Sequence, residues 1–403
     1  MLYKESIKFQ RVACVAAAYL LPCIASAEES STIAVSAVID GYYQTQNRVL
    51  AERQKGFGLG ETELAISGNV DDAFFGKITT VIESHDGETE VGLEEAFIQT
   101  LALPDGFSLR GGRFISDIGY LNNQHPHSDA FVERPVVYRA FLGSHYFDDG
   151  VRLDYLAPTD LYWTMGVEAF AGDKLRAESD EMDYHSIGAY TAYNKLGGDI
   201  GLSSSWQLGF SYLRNQNGEQ ALHEDEHDDH HNDAAELHDE HEEGHHHSAQ
   251  FTAKNMYGTD FVYKWAPQGN YKYQHLTLSG EYYRLTDLFS AEDVEHALLA
   301  EGETHQGWYV SGVYQWNPTW STGLRYGRVD TSLSEEEVFH KQTLEETEFE
   351  LAYHHSHSST IHLQYTFSQN KEARGNEAFL PENDHIVTLQ FVMALGAHNA
   401  HQF

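Results

Sequence analysis

The sequence predicts an antiparallel transmembrane β-barrel of 16 strands, with short turns at one end and long loops at the other. Three observations predict this fold class. Apolar and polar side chains alternate along many segments of about ten residues, the connections between these segments alternate between short and long, and the N-terminal region has the features of an export signal.

The alternation is clear in the segment 204–215, where the large side chains of Trp206, Leu208 and Phe210 alternate with small or polar ones. Because successive side chains of a strand point to opposite faces, such a segment can present one face to lipid and the other to a polar lumen. The same pattern recurs in the segments 257–265, 320–326 and 361–367.

The connections between the predicted strands divide into two classes. Short turns are expected at 69–72, 104–106, 158–160, 268–270, 317–319 and 358–359. Long loops are expected at 46–55, 85–88, 116–148, 172–185, 216–255, 286–305, 330–343 and 370–384. A soluble β-sandwich also alternates, but short turns facing long loops are typical of outer-membrane barrels, in which the turns are periplasmic and the loops extracellular.

Aromatic residues at the ends of the segments also support a transmembrane barrel. Trp265, Trp316 and Trp320 are expected to lie in the interfacial girdles of the barrel. The alternative for these three residues is core packing in a large soluble sandwich.

The N-terminal region predicts export. Basic residues precede an apolar stretch at about 12–25, which is shorter than the roughly 18 residues of a membrane-spanning helix. Ala25-Ser26-Ala27 then offers a cleavage site. We therefore predict a signal peptide at 1–27 and an outer-membrane barrel at 28–403. Both cysteines fall within 1–27, so the barrel would be free of cysteine.

The charge of the chain restricts its partners. The formal net charge is -37, from 25 Lys and Arg against 62 Asp and Glu. This excess of acid excludes nucleic acid as a partner and favours cations over anions. By the alternation, the lumen-facing strand residues include Asp260, Lys264, His275, Glu281, Arg325, Glu348, Glu350 and His362.

Three segments resemble the phosphate-selective porin O/P family: Arg110-Gly111-Gly112-Arg113-Phe114, Phe131-Val132-Glu133-Arg134 and Asp149-Gly150-Val151-Arg152-Leu153. The resemblance implies a homotrimeric channel of 16 strands whose third outer loop, here 116–148, folds inward to constrict the pore. Residues that match the family are Arg113, Glu133, Arg134 and Arg152, and Arg139 joins them as a constriction candidate by position alone. Structural salt bridges are the alternative role for all five, and the shortage of basic residues argues against phosphate selectivity.

The segment 216–255 predicts a disordered extracellular loop that binds metal. Between positions 223 and 247 it holds nine histidines and eleven carboxylates and too few apolar residues to form a core. Imidazole and carboxylate groups together bind Zn²⁺, Cu²⁺ or Ni²⁺, weakly and without selectivity when no fixed geometry exists. The candidate ligands are His223, His227, His230, His231, His238, His241, His245, His246, His247, Glu224, Asp228 and Asp239.

An acidic solubilising loop, or one that bridges lipopolysaccharide through Ca²⁺ or Mg²⁺, is the alternative for this segment. Similar tracts occur in the periplasmic solute-binding proteins of bacterial zinc importers, which favours zinc over copper or nickel. Two smaller groups, His354-His355-Ser356-His357 and the loop residues His125, His127 and Asp129, could also contact metal, although an ordinary polar role is the simpler explanation.

The predicted function is passive diffusion of small ions through an outer-membrane porin, assisting zinc uptake through the metal-binding loop. No cofactor is required, and the expected partners are outer-membrane lipid, lipopolysaccharide, divalent metal ions and two further copies of the chain. The alternatives are an anion or phosphate-type porin and a surface metal-binding barrel without transport. An enzyme is not expected, because the sequence has no Gly-x-Ser-x-Gly nucleophile motif.

Overall fold

A computed structural model describes residues 33–85, 88–175, 185–216, 249, 251–288, 303–335, 338–375 and 377–396. Within these ranges the chain forms a closed barrel of 16 antiparallel strands, which confirms the predicted fold class. A search of the same ranges finds no helix with the length and apolar character needed to cross a membrane.

The strands follow the predicted segments closely. In chain order they are β1 Ala34–Gln44, β2 in two parts Gly56–Leu59 and Thr62–Asn69, β3 Phe74–His85, β4 Glu88–Thr100, β5 Phe107–Ile115, β6 Phe147–Leu156, β7 Tyr162–Phe170, β8 Ala189–Ile200, β9 Ser204–Asn215, β10 Ala253–Trp265, β11 His275–Leu288, β12 His305–Asn317, β13 Trp320–Glu335, β14 Val338–Ser356, β15 Ser359–Arg374 and β16 Glu382–Gly396. A two-residue strand, Glu377–Ala378, precedes β16 and pairs with β15.

Each strand pairs with the next, and the barrel closes where β1 meets β16. The pairing runs from Ser36 opposite Gly396 to Gln44 opposite Thr388. Closure satisfies the backbone hydrogen bonds of both terminal strands, which a sheet in a lipid bilayer requires because lipid offers no hydrogen-bond partner.

Turns of a few residues connect the strands at one end of the barrel, here called the turn end, and most of the longer connections lie at the opposite loop end. One predicted loop, 330–343, is wrong. There β13 continues to Glu335 and β14 begins at Val338. The segment has polar residues on both faces. Thr331 is buried inside the barrel, and Asp330 accepts a hydrogen bond from Arg328 on the outer face. A polar strand of this kind cannot be told from a loop by composition.

The outer surface of the barrel is apolar. Trp316 and Trp320, predicted for a girdle, remain 53% and 41% exposed near the turn end, and the ring of Trp320 contacts that of Tyr353 at 4.9 Å. Exposed aliphatic side chains cover the surface between the two ends, including Ile39, Leu64, Ile66, Ile78, Ile98, Leu109, Val151, Val167, Val310, Leu324 and Leu363. This surface suits contact with lipid hydrocarbon.

Residues 116–146, here called outer loop 3, connect β5 to β6 and fold into the barrel. The loop contains a short 3-10 helix, Pro126–Ser128, and the helix α1, Val136–Leu142, whose seven residues are all buried. Apolar side chains of α1 join those of the barrel wall in one cluster, which includes Val136, Val137, Phe141, Tyr283, Leu285, Tyr309, Val329 and Leu344.

Two glycines in the barrel wall leave space for α1. A Cβ atom built on Gly307 would lie 2.8 Å from Cγ2 of Val137, and one on Gly327 would lie 3.1 Å from Cγ1 of Val136. Both glycines therefore allow the helix to approach the strands β12 and β13 closely.

Candidate functional site

The base of outer loop 3 is held by a buried ion pair between β6 and β7. Arg152 binds Glu168 at 2.6 Å and also donates to the carbonyl oxygen of Ile115 at 2.6 Å. The Glu168 carboxylate accepts a bond of 3.1 Å from the backbone N–H of Asp117. Arg152, a predicted constriction residue, thus lies inside the barrel and fixes the point at which the loop turns inward.

The middle of the loop is attached to the wall through Glu281 of β11. Its carboxylate accepts hydrogen bonds of 2.8–3.1 Å from the backbone N–H groups of Tyr120 and Leu121 and from the hydroxyls of Tyr138, Tyr283 and Tyr309. Burial raises the pKa of the Tyr138 hydroxyl well above its usual value, so the hydroxyl remains a donor at neutral pH. Glu281 therefore acts as a structural acceptor for the loop.

The other predicted constriction residues on the loop make bonds that fix its shape. Arg134 donates to the carbonyl oxygen of Leu121 at 2.5 Å and lies 3.0 Å from a carboxylate oxygen of Asp129. Arg139 forms an ion pair with Glu346 of β14 and donates to the carbonyl oxygen of Arg134 at 3.0 Å. Both guanidinium groups are almost fully buried.

Glu133 connects outer loop 3 to residues 45–55, here called outer loop 1. Its carboxylate lies 3.3 Å from the guanidinium of Arg53 and accepts a bond of 3.2 Å from the backbone N–H of the same residue. Burial works against the charge on Arg53, but the carboxylates of Asp40 and Glu133 more than compensate and raise the pKa of Arg53. Arg48 of the same loop bonds Glu346 and Glu348, each at 2.7 Å.

Arg113 differs from the other four predicted constriction residues. It pairs with Asp149 at 2.8 Å, and the side chain of Asp149 is 53% exposed. Asp149 shares a strand face with Val151, which is exposed on the outer surface, so Arg113 points away from the lumen. The inward-facing arginine of this strand is Arg110, which bonds Gln99 and contacts the ring of Phe97.

Outer loop 3 faces the strands β2 and β4 through an alternating series of histidine and glutamate residues, here called the His–Glu chain. Its members are His145, Glu94, His125, Glu63 and His127. Consecutive nitrogen and oxygen atoms are separated by 2.5, 3.1, 3.3 and 2.6 Å. Three histidines from one loop thus alternate with two carboxylates from the wall.

A β-bulge brings two adjacent glutamates to the inner face of β4. Thr79 of β3 pairs with Glu95, whereas the next residue, Thr80, pairs with Leu93, so Glu94 has no partner across the strands. Glu94 and Glu95 are 3% and 4% exposed, and both contact His125. Bulges commonly redirect side chains in this way, and the strict alternation used above missed this one. The sequence does carry a signal for it, since the outward-facing positions change from odd to even numbers between Leu93 and Ala96.

Two cavities inside the barrel lie between outer loop 3 and the turn end. The larger, of about 630 Å³, is bordered by turn residues such as Leu101 and by charged groups of both signs, namely Glu63, Lys77, Glu95, Arg110, Asp117, Arg152 and Asp154. The smaller, of about 300 Å³, is bordered by five histidines: His127, His275, His354, His357 and His362. His127 of the loop tip borders both cavities.

Other predicted lumen residues are also found inside. Asp260, Glu281, Arg325, Glu348, Glu350 and His362 are all buried within the barrel. The predicted metal ligands between 223 and 247 and the predicted signal peptide at 1–27 lie outside the described residues.

Comparisons with known proteins place the fold. No family model matches the chain, so the resemblance to the phosphate-selective porin O/P family stays a prediction. An uncharacterized protein of Aquifex aeolicus is 27% identical over 391 residues, which cover 93% of this chain and 76% of that protein.

Three solved structures superpose with a TM-score of 0.52 while covering 91% of this chain. They are the outer membrane protein OmpT of Vibrio cholerae in a trimer form (8% identity, all of that chain), an anion-selective porin from Comamonas acidovorans (10%, all of that chain) and the outer membrane channel DcaP of Acinetobacter baumannii (12%, 97% of that chain). At such low identities the likeness establishes a shared fold. A closed 16-stranded barrel with an apolar outer surface places the chain in a bacterial outer membrane, as predicted.

Proposed function

We propose that this barrel is an outer-membrane porin that lets small ions diffuse passively and assists the uptake of divalent metal, with zinc as the principal ion. The observation that carries the proposal is the His–Glu chain of outer loop 3, which borders the larger cavity through Glu63, His125 and His127 and the smaller one through His127. An ion that passes the loop on this side meets imidazole and carboxylate groups.

The charge of the lumen favours cations. The larger cavity is bordered by the carboxylates of Glu63, Glu95, Asp117 and Asp154 against the cationic groups of Lys77, Arg110 and Arg152. Lys77 is paired with Glu95, Arg152 with Glu168 and Asp117 with Lys195. Four carboxylates against three cationic groups leave a small excess of acid around the cavity, in the same direction as the net charge of -37 for the whole chain.

The segment 216–255 gives the channel a source of metal outside the cell. Its nine histidines and eleven carboxylates between 223 and 247 would bind zinc weakly and raise its concentration near the loop end. Weak, exchanging sites suit capture and release better than storage.

An anion porin is the second candidate, and one observation favours it. Arg110 faces the larger cavity, and its guanidinium contacts the amide of Gln99 and the rings of Phe97 and Phe114 rather than a carboxylate. One of the solved structures that share the fold is described as an anion-selective porin. A homotrimer is proposed for either function, because another is described in a trimer form.

Planar-bilayer conductance tests the proposal. We expect stable single channels from the full chain and a reduction of the current on addition of zinc chloride. A variant lacking residues 223–247 should conduct equally well but require more zinc for the same reduction, because the local supply of bound metal is lost.

Two other results of the conductance measurement would favour the alternative functions. Channels that conduct phosphate in preference to potassium would establish the anion porin. A correctly folded barrel without conductance would leave a surface metal-binding protein.

A further inference from the structure

We infer that Glu63, Glu94 and His125 form a binding site for a divalent transition-metal ion inside the barrel. The site is separate from the segment 216–255 and does not require the channel to conduct. The inference deepens the proposed function by giving the lumen its own metal ligands, yet it can hold or fail independently of that function.

The geometry of the ligand atoms is the first argument. One atom from each of the three residues, a carboxylate oxygen of Glu63, one of Glu94 and a ring nitrogen of His125, lie within 4.8 Å of one another. Zinc bonds to nitrogen and oxygen at about 2.0–2.2 Å, so atoms around one ion are separated by roughly 3–4 Å. Small rotations of the side chains would place all three on a single ion.

Unsatisfied buried atoms are the second, independent argument. Glu94 is 3% exposed, and its Oε2 atom makes no hydrogen bond, although Nδ1 of His125 lies 3.1 Å away. The Nδ1 atom of His125 also lacks a hydrogen bond of acceptable geometry. Buried polar atoms are normally satisfied, because leaving one without a partner costs about 1–3 kcal/mol. The two atoms face each other at 3.1 Å, and a cation bound by both would satisfy them.

The opposite side of His125 is prepared for metal binding. Its Nε2 atom lies 3.2 Å from Glu95 and 3.0 Å from the ammonium group of Lys77, which also contacts Glu95. A histidine that binds metal through one nitrogen typically donates its other N–H to a carboxylate, which fixes the orientation of the ring. When metal occupies Nδ1, Nε2 carries the proton and Glu95 is in place to accept it, while the Lys77 ammonium keeps its ion pair with Glu95.

The second oxygen of each ligand carboxylate is held by a further histidine. Oε1 of Glu94 lies 2.5 Å from Nε2 of His145, and Oε1 of Glu63 lies 2.6 Å from Nδ1 of His127. These contacts orient the two carboxylates with the other oxygen toward His125. A set of one imidazole and two carboxylates suits zinc and neighbouring divalent ions of the first transition row.

Anomalous X-ray diffraction from crystals of the full chain, grown with zinc chloride, tests the site. Data collected on both sides of the zinc absorption edge should give a peak about 2.0–2.2 Å from Nδ1 of His125 and from an oxygen of each glutamate. The Glu94→Gln variant should lose at least about nine-tenths of this peak, because the amide keeps the shape but is a much poorer metal ligand.

Glu345→Gln is the matched control. Glu345 of β14 also forms ion pairs, with Arg328 of β13 and Lys371 of β15, and none of these three strands pairs with β2 or β4. The control should retain the peak. A map of the unmodified protein with zinc peaks elsewhere but none at these three residues would overturn the inference, even if zinc still reduced the conductance. A peak here in a barrel without conductance would support the site and contradict the proposed function.

Discussion

Outer loop 3 meets two different walls of the barrel. Toward β11–β14 its helix α1 packs on apolar side chains, and Glu281 and Glu346 satisfy the polar groups that are buried there. Toward β2 and β4 the loop presents three histidines to glutamates, and buried atoms of Glu94 and His125 remain without hydrogen bonds. The first wall therefore holds the loop, and the second leaves ligand atoms available.

The wall at β11–β14 therefore contributes stability, and the wall at β2 and β4 contributes ion binding. Burial of apolar surface and completed hydrogen bonds are stabilising, whereas incomplete coordination is costly unless a ligand completes it. Substitutions on the β11–β14 side should therefore loosen the loop, and those on the β2–β4 side should change ion binding while the fold is kept.

The largest effect is expected from Glu281→Leu. The substitution removes the acceptor shared by Tyr138, Tyr283, Tyr309 and two backbone N–H groups, at about 1–3 kcal/mol for each donor that is left unsatisfied. The loop should detach from the wall, so the denaturant midpoint should fall and the single-channel conductance should rise. Glu281→Gln keeps one acceptor oxygen and should show a smaller change in both. Unchanged conductance in the leucine variant would mean that Glu281 does not hold the loop.

Arg139→Met should have the next largest effect. It leaves Glu346 with one guanidinium partner fewer in a buried position, and breaking a buried pair typically costs about 3–5 kcal/mol. Arg113→Met removes an ion pair whose side chains are 30% and 53% exposed, for which the loss should be within about 1 kcal/mol. The free energies of unfolding of both variants in lipid vesicles measure the contrast. Equal losses would contradict the assignment of the two arginines to the inside and the outside.

Glu95→Gln probes the second wall. The amide is a weaker acceptor for the Nε2–H group of His125, and losing such a partner typically lowers metal affinity by about 10–100-fold. The zinc concentration that halves the current, with zinc added at the turn end, should rise accordingly, while the barrel keeps its fold. Glu345→Gln should leave this concentration as it is. A similar rise in the control would indicate a general effect of charge on the channel.

Gly307→Ala should have a smaller effect on stability than Arg139→Met. The added methyl group would lie 2.8 Å from Val137 and press on α1, which should cost about 1–3 kcal/mol of stability. Gly41→Ala is the control, because a Cβ atom there meets no other atom within 4 Å. Thermal unfolding should distinguish the two variants, and equal midpoints would show that α1 is not closely packed on the wall.

The sequence predicted the barrel well because alternation is a direct consequence of strand geometry. Trp206, Leu208 and Phe210 must share one face, whatever the tertiary structure. The prediction was wrong at 330–343, because a strand with polar residues on both faces does not alternate between apolar and polar side chains. The boundary between strand and loop is then set by pairing with a neighbour, which is not a local property.

The site was only partly predictable. His125 and His127 were identified in the third outer loop, but the glutamates that face them come from strands far away in the chain. Glu94 faces inward together with Glu95 because of the bulge, whereas strict alternation assigns only one of the two to the lumen. Arg113 was assigned to the constriction by resemblance, and its outward direction depends on the pairing of β5 with β6.

The reversal potential of single channels in a gradient of potassium chloride tests the central claim most directly. The carboxylates that border the larger cavity outnumber its cationic groups, so the reversal potential should have the sign of selectivity for potassium over chloride. Glu63→Gln should reduce its magnitude. A potential of the opposite sign, unaffected by that substitution, would contradict the account and favour an anion channel.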